Sequence, residues 1–173
     1  MQVETVISAG SPEQDLKGKG ISDAQLVLYF LSPEYPAPVQ YLAALRRAYP
    51  AARLAGCTTG GEIFGDEALE RAAVSVAIRL SQARIEIAEG HVRTPADSLE
   101  TGAALARALD GPELKLIFVL SDGLLVSGSH LVHGLVSSSR ADVTIAGGLA
   151  GDGANFRQTG VGLDGLPQSG KVV

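Results

Sequence analysis

The chain lacks the residues that several classes of protein need. Its 173 residues include one cysteine, no tryptophan, and 14 lysines and arginines against 19 aspartates and glutamates. A single cysteine excludes an intramolecular disulfide and a cysteine-based metal site, and it favours a reducing compartment. The densest basic spot is Arg46-Arg47, and the net charge is −5. Charge of this sign and pattern argues against a nucleic-acid partner.

Long apolar runs are also missing. No stretch approaches the roughly 20 apolar residues that a membrane helix needs, and the N-terminus has no charged segment followed by an apolar core typical of a signal peptide. We therefore expect a cytoplasmic protein without membrane contact. The composition, 46% hydrophobic and 19% charged, predicts a globular domain with a sizeable core.

The apolar patterns predict an α/β fold. Helices are expected at 36–49, 94–109 and 127–139, with a capping box from Thr94 to Asp97 opening the second. In the third helix, Leu131, Val132, Leu135 and Val136 are expected to face inward. Strands are expected at 4–9, 24–31, 51–57, 114–120, 141–146 and 156–163.

Two extended segments in the middle of the chain, 72–80 and 83–92, are separated by only two residues. This pattern predicts an antiparallel hairpin. The expected fold is therefore α/β, with a mixed sheet that contains a central antiparallel hairpin and with helices packed against it. Residues 1–173 are expected to form a single domain, and the apolar run that starts at Val172 suggests a longer protein.

Three glycine-bearing turns follow apolar runs. They are 56–62 (GCTTGGE), 121–123 (SDG) and 147–153 (GGLAGDG). At the strand ends of an α/β protein, backbone without Cβ atoms lets a ligand approach, and free N–H groups favour anions. We expect the three turns to form one ligand-binding cleft, with no catalytic residue and no metal. The candidate ligand-binding residues are Cys57, Thr58, Thr59, Gly60, Gly61, Glu62, Ser121, Asp122, Gly147, Gly148 and Asp152.

Each of these features also has a structural interpretation. The glycines can serve tight packing of strands, and Asp152 can hydrogen-bond its own turn. Glu62 is available for an ammonium group. Cys57 is either a nucleophile or a small buried side chain. The turn at 56–62 is not a P-loop, because no Gly-Lys-Ser/Thr sequence follows it.

The order of these motifs along the chain, from the strand that ends at Ser32-Pro33 to the turn at 147–153, resembles the N-terminal part of the FIST domain. FIST domains are sensory domains of bacterial, archaeal and eukaryotic signalling proteins. The resemblance implies small-ligand binding rather than catalysis, with amino acids as proposed ligands and a C-terminal FIST half after this region. It also implies a signalling partner such as a histidine kinase, a diguanylate cyclase or a chemoreceptor-type module.

Three alternatives remain open from the sequence. Some FIST domains bind haem and sense nitric oxide, so His91, His130 or His133 could be a haem ligand in this chain. A thiol-dependent enzyme could use Cys57. The chain could also be an assembly module whose glycine turns serve packing alone.

Overall fold

The computed structural model describes residues 1–21 and 23–173. Four helices are α1 (Pro12–Asp15), α2 (Pro38–Ala48), α3 (Ser98–Leu109) and α4 (Gly128–Ser138), and a 3-10 turn at Pro95–Asp97 precedes α3. The strands are β1 (Gln2–Ser8), β2 (Leu26–Leu31), β3 (Arg53–Thr58), β4 (Glu62–Phe64), β5 (Glu67–Leu69), β6 (Ala73–Arg79), β7 (Gly90–His91), β8 (Leu116–Ser121), β9 (Thr144–Leu149), β10 (Val161–Leu163) and β11 (Lys171–Val172).

Nine of these strands form two mixed sheets, and β4 and β5 form a separate antiparallel pair. The first sheet has the order β1-β6-β2-β3-β10, and the second has the order β7-β11-β8-β9. In the first sheet β2 and β3 are parallel and the other pairs are antiparallel. In the second sheet β8 and β9 are parallel. The predicted α/β class with a mixed sheet is therefore confirmed.

The hairpin expected from 72–80 and 83–92 is wrong. Strand β6 is antiparallel, but its partners are β1 and β2. Residues 83–89 form no strand, and β7 pairs with β11 in the second sheet. The connection Ser81-Gln82 lacks the glycine or asparagine that two-residue hairpin turns require. The alternation of apolar residues in β6 therefore indicates burial between β1 and β2, which are distant in sequence, and does not indicate a local turn.

Two predicted turns begin later than expected, because some of their glycines lie inside strands. Gly56 belongs to β3, and Gly147 and Gly148 belong to β9. A Cβ at Gly56 would overlap the ring of Tyr29 on β2, and a Cβ at Gly147 would overlap the carbonyl of Val119 on β8. At these two positions the glycine allows close approach of the adjacent strand.

Three apolar clusters form the core. One packs α2 on the first sheet through residues such as Tyr29, Tyr41 and Leu45. A second packs α3 and α4 on the second sheet and includes Leu131 and Leu135. The third lies where the two sheets meet and contains Cys57, Leu120, Ala150 and Val161. None of the helices in the described ranges has the length and apolar character that crossing a membrane would require.

The inward face of α4 is narrower than the sequence predicted. Leu131 and Leu135 are buried as expected, but Val132 and Val136 are 46% and 56% exposed. The capping box before α3 is confirmed, since the Asp97 carboxylate accepts a hydrogen bond from the N–H of Thr94 at 2.9 Å.

Helices α3 and α4 approach each other closely because a glycine on each helix faces the other. A Cβ at Gly102 would overlap the carbonyl oxygen of Leu131, and a Cβ at Gly134 would overlap that of Leu99. Glycines at a helix crossing allow the two backbones to come into contact. The close packing of α3 against α4 therefore depends on the absence of side chains at these two positions.

Replacing Gly134 with alanine tests this contact. In an exposed helix interior the change would stabilise by about 1 kcal/mol. Here we expect a loss of about 1–3 kcal/mol in the free energy of unfolding, because the added methyl group forces the helices apart. Urea denaturation of Gly134→Ala measures the change. Gly111→Ala is the control, since a Cβ there meets nothing within 4 Å, and an unchanged stability in Gly134→Ala would contradict the close contact.

Candidate functional site

The three predicted turns meet at the end of β3. The N–H of Thr58 donates to the carbonyl of Gly160 at 2.9 Å, and the carbonyl of Thr58 accepts from Gly151 at the same distance. The N–H of Gly160 donates to the Thr58 hydroxyl at 3.0 Å. The N–H of Ala150 donates to the carbonyl of Ser121 at 2.7 Å. Backbone hydrogen bonds thus join all three turns, as the sequence predicted.

At this meeting point the backbones of the turns touch one another. A Cβ on Gly60 would lie 3.3 Å from Gly153, and one on Gly151 would lie 3.1 Å from the nitrogen of Gly60. A Cβ on Gly123 would overlap the carbonyl oxygen of Ala150. Gly123 is therefore required for packing between the turns, and side chains at Gly60 and Gly151 would crowd the neighbouring backbone. Gly148 differs, because a Cβ there meets nothing within 4 Å.

A groove of about 240 Å³ lies beside the turns. It is at the carboxyl ends of the parallel strands β2 and β3, where ligands bind in many α/β sheets. Of the predicted site residues, Thr58 lines it. The sequence analysis missed the other lining residues, which are Leu31, Ser32, Pro33, Pro38, Gln158, Thr159, Gly160, Leu166 and Pro167. The Ser32-Pro33 break after β2 was the signal that could have located it.

Both predicted aspartates already have backbone partners. The Asp122 carboxylate is fully buried and accepts hydrogen bonds from the N–H groups of Leu124, Leu125 and Gly170. The Asp152 carboxylate accepts from three consecutive N–H groups, those of residues 156 to 158, and these bonds lower its pKa. Both side chains hold their loops in shape, which favours the structural interpretation of each. Ser121 is buried beside Asp122.

Glu62 differs from these aspartates. Its side chain is buried, with 2% of its surface exposed. The Thr59 hydroxyl donates to Oε1, but Oε2 has no hydrogen-bond partner within 1–21 and 23–173. Burial raises the pKa of this carboxyl, an effect that the Thr59 hydroxyl and the nearby N–H of Ala72 offset in part. An unpaired carboxylate oxygen inside a protein is costly unless a cationic or donor group meets it.

Glycine also shapes the backbone beside this carboxylate. Gly61 has φ of +147°, a conformation that favours glycine. Among the described residues, a Cβ there would have the carbonyl oxygen of Leu69 as its one neighbour within 4 Å, at 3.7 Å. The turn from Thr59 to Glu62 thus combines a hydroxyl, a glycine pair and a buried carboxylate that lacks one partner.

The surroundings of Cys57 are apolar. Its side chain packs with Leu120, Ala150 and Val161, and burial raises the pKa of the thiol to about 11. A nucleophilic cysteine needs a lowered pKa and access to substrate. This environment favours the packing interpretation over the thiol-dependent enzyme.

The three histidines lie on the surface, outside the two grooves described. His91, His130 and His133 are exposed, and neither the groove beside Thr58 nor a second, more polar groove near β1 includes one of them. Among the described residues there is no cluster of three or more histidine, cysteine, aspartate or glutamate side chains that could hold a metal ion. A haem ligand needs an apolar pocket around it, so these positions do not fit the group.

The fold and the site define a mixed α/β domain with loops joined at the carboxyl ends of its parallel strands. The model of the FIST N domain matches residues 25–173, and the chain belongs to this family of sensory domains of signal-transduction proteins. Comparison with curated proteins gives no significant match.

The unpaired carboxylate predicts a gain in stability for Glu62→Gln. Because burial raises the pKa of Glu62 in the folded chain, ionisation opposes folding once the pH exceeds the unfolded value of about 4.3. At pH 7 we expect Glu62→Gln to be more stable by about 1 kcal/mol or more. The gain should disappear below about pH 4, where both folded and unfolded carboxyls are protonated. Thermal unfolding from pH 3.5 to pH 8 measures the difference in stability between Glu62→Gln and the parent chain. Glu67→Gln, at an exposed position, is the control. An equal loss of stability at every pH in Glu62→Gln would contradict the prediction.

The Cys57 environment predicts an unreactive thiol. With a pKa of about 11, about one thiol in a thousand is ionised at pH 8, and the side chain is also buried. We expect the native chain to react with an aromatic disulfide reagent at least about 100-fold more slowly than the urea-unfolded chain. A native rate equal to the unfolded rate would contradict this and would favour the enzyme hypothesis.

Proposed function

We propose that this FIST N domain is a sensory module that binds a small ligand carrying an ammonium group, an amino acid or a similar polar metabolite. The site comprises the turn from Thr58 to Glu62 and the groove that Thr58 lines. The observation that supports it is the buried Oε2 of Glu62, which has no partner in the described part of the chain.

The ammonium group explains why such an oxygen is kept. In the ligand-free domain the buried carboxylate destabilises the fold, because one of its oxygens has lost water without gaining a donor. A primary ammonium brings a positive charge and three N–H donors. Binding would therefore convert a local cost into a charge-assisted hydrogen bond. The Thr59 hydroxyl orients the carboxylate through its other oxygen.

The groove supports a negative group at the other end of the ligand. Pro38, the first residue of α2, lines the groove. The preceding residue is Ala37, so no side chain caps the first N–H groups of this 11-residue helix. Uncapped helix N-termini attract carboxylates and phosphates. A ligand with an ammonium at Glu62 and a carboxylate towards α2 has the charge pattern of an amino acid.

The position of the site suggests how binding reaches a signalling partner. Because Gly60 contacts Gly153 and Gly151 bonds Thr58, a movement of the 59–62 turn is transmitted to the segment after β9. A ligand that prefers one arrangement of these turns shifts the population towards it. The recipient of this change would be a C-terminal FIST half, followed by a histidine kinase, a diguanylate cyclase or a chemoreceptor-type module.

A thermal-shift screen tests the proposal with three sets of compounds: the standard amino acids, amines without a carboxylate, and carboxylates without an amine. At about 100 times its Kd a ligand adds about 2.7 kcal/mol to the free energy of unfolding. We expect the shift from an amino acid, and we expect Glu62→Gln to remove it because the neutral amide loses the charge attraction. Glu67→Gln, at an exposed position on β5, is the matched control and should keep the shift.

Two results would contradict this function. One is a ligand that binds Glu62→Gln as tightly as the parent chain, since the ammonium would then be elsewhere. The other is a response to carboxylates alone. If amines without a carboxylate produce the same shift, the proposed contact between the ammonium and Glu62 is supported. The proposed contact between a ligand carboxylate and the N-terminus of α2 is then wrong.

A further inference from the structure

We propose that the side of the second sheet formed by α4 and β9 binds a second copy of this chain about a two-fold axis. This surface, called here the α4–β9 flank, consists of Val132 and Val136 on α4, Leu149, and the edge of β9 from Thr144 to Leu149. It is separate from the proposed ligand site.

The direction of the two valines follows from the packing of α4. Gly134 faces the backbone of α3 at Leu99 and Ala103. Successive residues of a helix are about 100° apart, so Val132 and Val136, two positions before and after Gly134, lie on the opposite side. Helix α4 contacts β9, whereas α3 contacts β7 at the other edge of the sheet. The valines therefore point away from the domain, above the outer edge of β9.

Leu149 adds an exposed apolar side chain on β9 to this surface. It is 54% exposed, and its side chain is the nearest neighbour of a Cβ built on Gly128, at 3.4 Å at the start of α4. An exposed leucine thus lies on the helix-facing side of β9, beside the start of the helix that carries the two exposed valines. Exposed apolar side chains that adjoin one another are typical of interaction sites, whereas isolated ones are ordinary.

Strand β9 lacks the features that protect a sheet edge. It pairs with β8 on one side and is the last strand in the order of the second sheet. Its sequence, TIAGGL, has no charged residue and no proline. Lysine, proline and short length are the usual means by which edge strands avoid pairing. Six residues of unprotected edge beside an apolar helix stripe favour pairing with another strand.

Charge favours a second copy as the occupant. The protein has 33 charged residues, 14 basic and 19 acidic, but there is none in residues 123–139 or 143–151. Close to a two-fold axis a residue faces its own copy, so a charge there would meet a like charge. An uncharged surface has no such cost and offers nothing that would select a partner of opposite charge. The two histidines of α4, His130 and His133, are both exposed.

The two parts of the flank are compatible with one axis. Antiparallel pairing of β9 with its copy extends the four-stranded sheet to a continuous sheet across the two chains. The axis then stands perpendicular to the sheet, so the two α4 helices lie side by side on the same face. Val132 and Val136 of each chain would pack against those of the other. A helix about 16 Å long and a strand about 20 Å long make a contact smaller than a standard interface, so we expect a micromolar dimer.

Sedimentation equilibrium of this chain between about 1 and 100 μM tests the proposal. The expected species has twice the chain mass of 17.8 kDa. Val136→Glu and Thr144→Lys should each raise the dimer Kd at least about tenfold, because the axis doubles every added charge. Val3→Glu is the matched control, since Val3 is 49% exposed on the edge strand β1 of the other sheet. Circular dichroism melts confirm that the variants remain folded.

Three outcomes would overturn the proposal. A monomer across the whole range would show that the flank does not bind a second copy. A dimer that Val136→Glu and Thr144→Lys leave intact must use a different surface. A continuous series of larger species indicates open-ended association rather than a closed two-fold contact. Loss of dimerisation with ligand shifts unchanged would leave the proposed function standing, so the two proposals fail independently.

Discussion

Thr58 is where the two sheets of the protein are tied together. It ends β3, and its N–H, carbonyl and hydroxyl all bond to residues that flank β9 and β10. A threonine whose N–H, carbonyl and hydroxyl are all hydrogen-bonded holds three chain segments together. The glycines around it then follow from geometry, because a side chain on Gly123 would overlap the neighbouring turn and one on Gly60 or Gly151 would crowd it. The arrangement of the strand ends depends on these contacts.

This tight junction makes Glu62 unusual. Nearby aspartates of similar burial have their oxygens bonded to backbone N–H groups, three for Asp122 and three for Asp152. Glu62 is equally buried and keeps one oxygen without a partner. A local violation of the rule that buried polar groups are paired is expected at functional sites, where stability is given up for binding. This contrast between Glu62 and the two aspartates supports Glu62 as a ligand-binding residue more than its burial alone does.

The sequence predicted α2, α3 and α4 and the meeting of the three turns, because each depends on local periodicity or on strand ends. It did not predict the partners of β6, since alternation of Val74, Val76 and Ile78 indicates burial without naming a partner. It also could not separate glycines needed inside strands, such as Gly56 and Gly147, from those in turns. Both distinctions depend on which strand lies alongside, and only the fold determines that. The exposure of Val132 and Val136 was missed for the same reason, because an apolar residue at helical spacing can face a partner as well as a core.

The proposed ligand site and the α4–β9 flank share one strand. The edge of β9 belongs to the flank and ends at Leu149. The next residues, Ala150 and Gly151, donate hydrogen bonds to the carbonyls of Ser121 and Thr58. A change in the 59–62 turn that moves Gly151 would therefore move the end of the strand that pairs across the axis. If ligand alters the affinity between copies by some factor, association must alter ligand affinity by the same factor. Such coupling needs two arrangements of the junction and no long pathway, because the proposed site and the strand are already in contact.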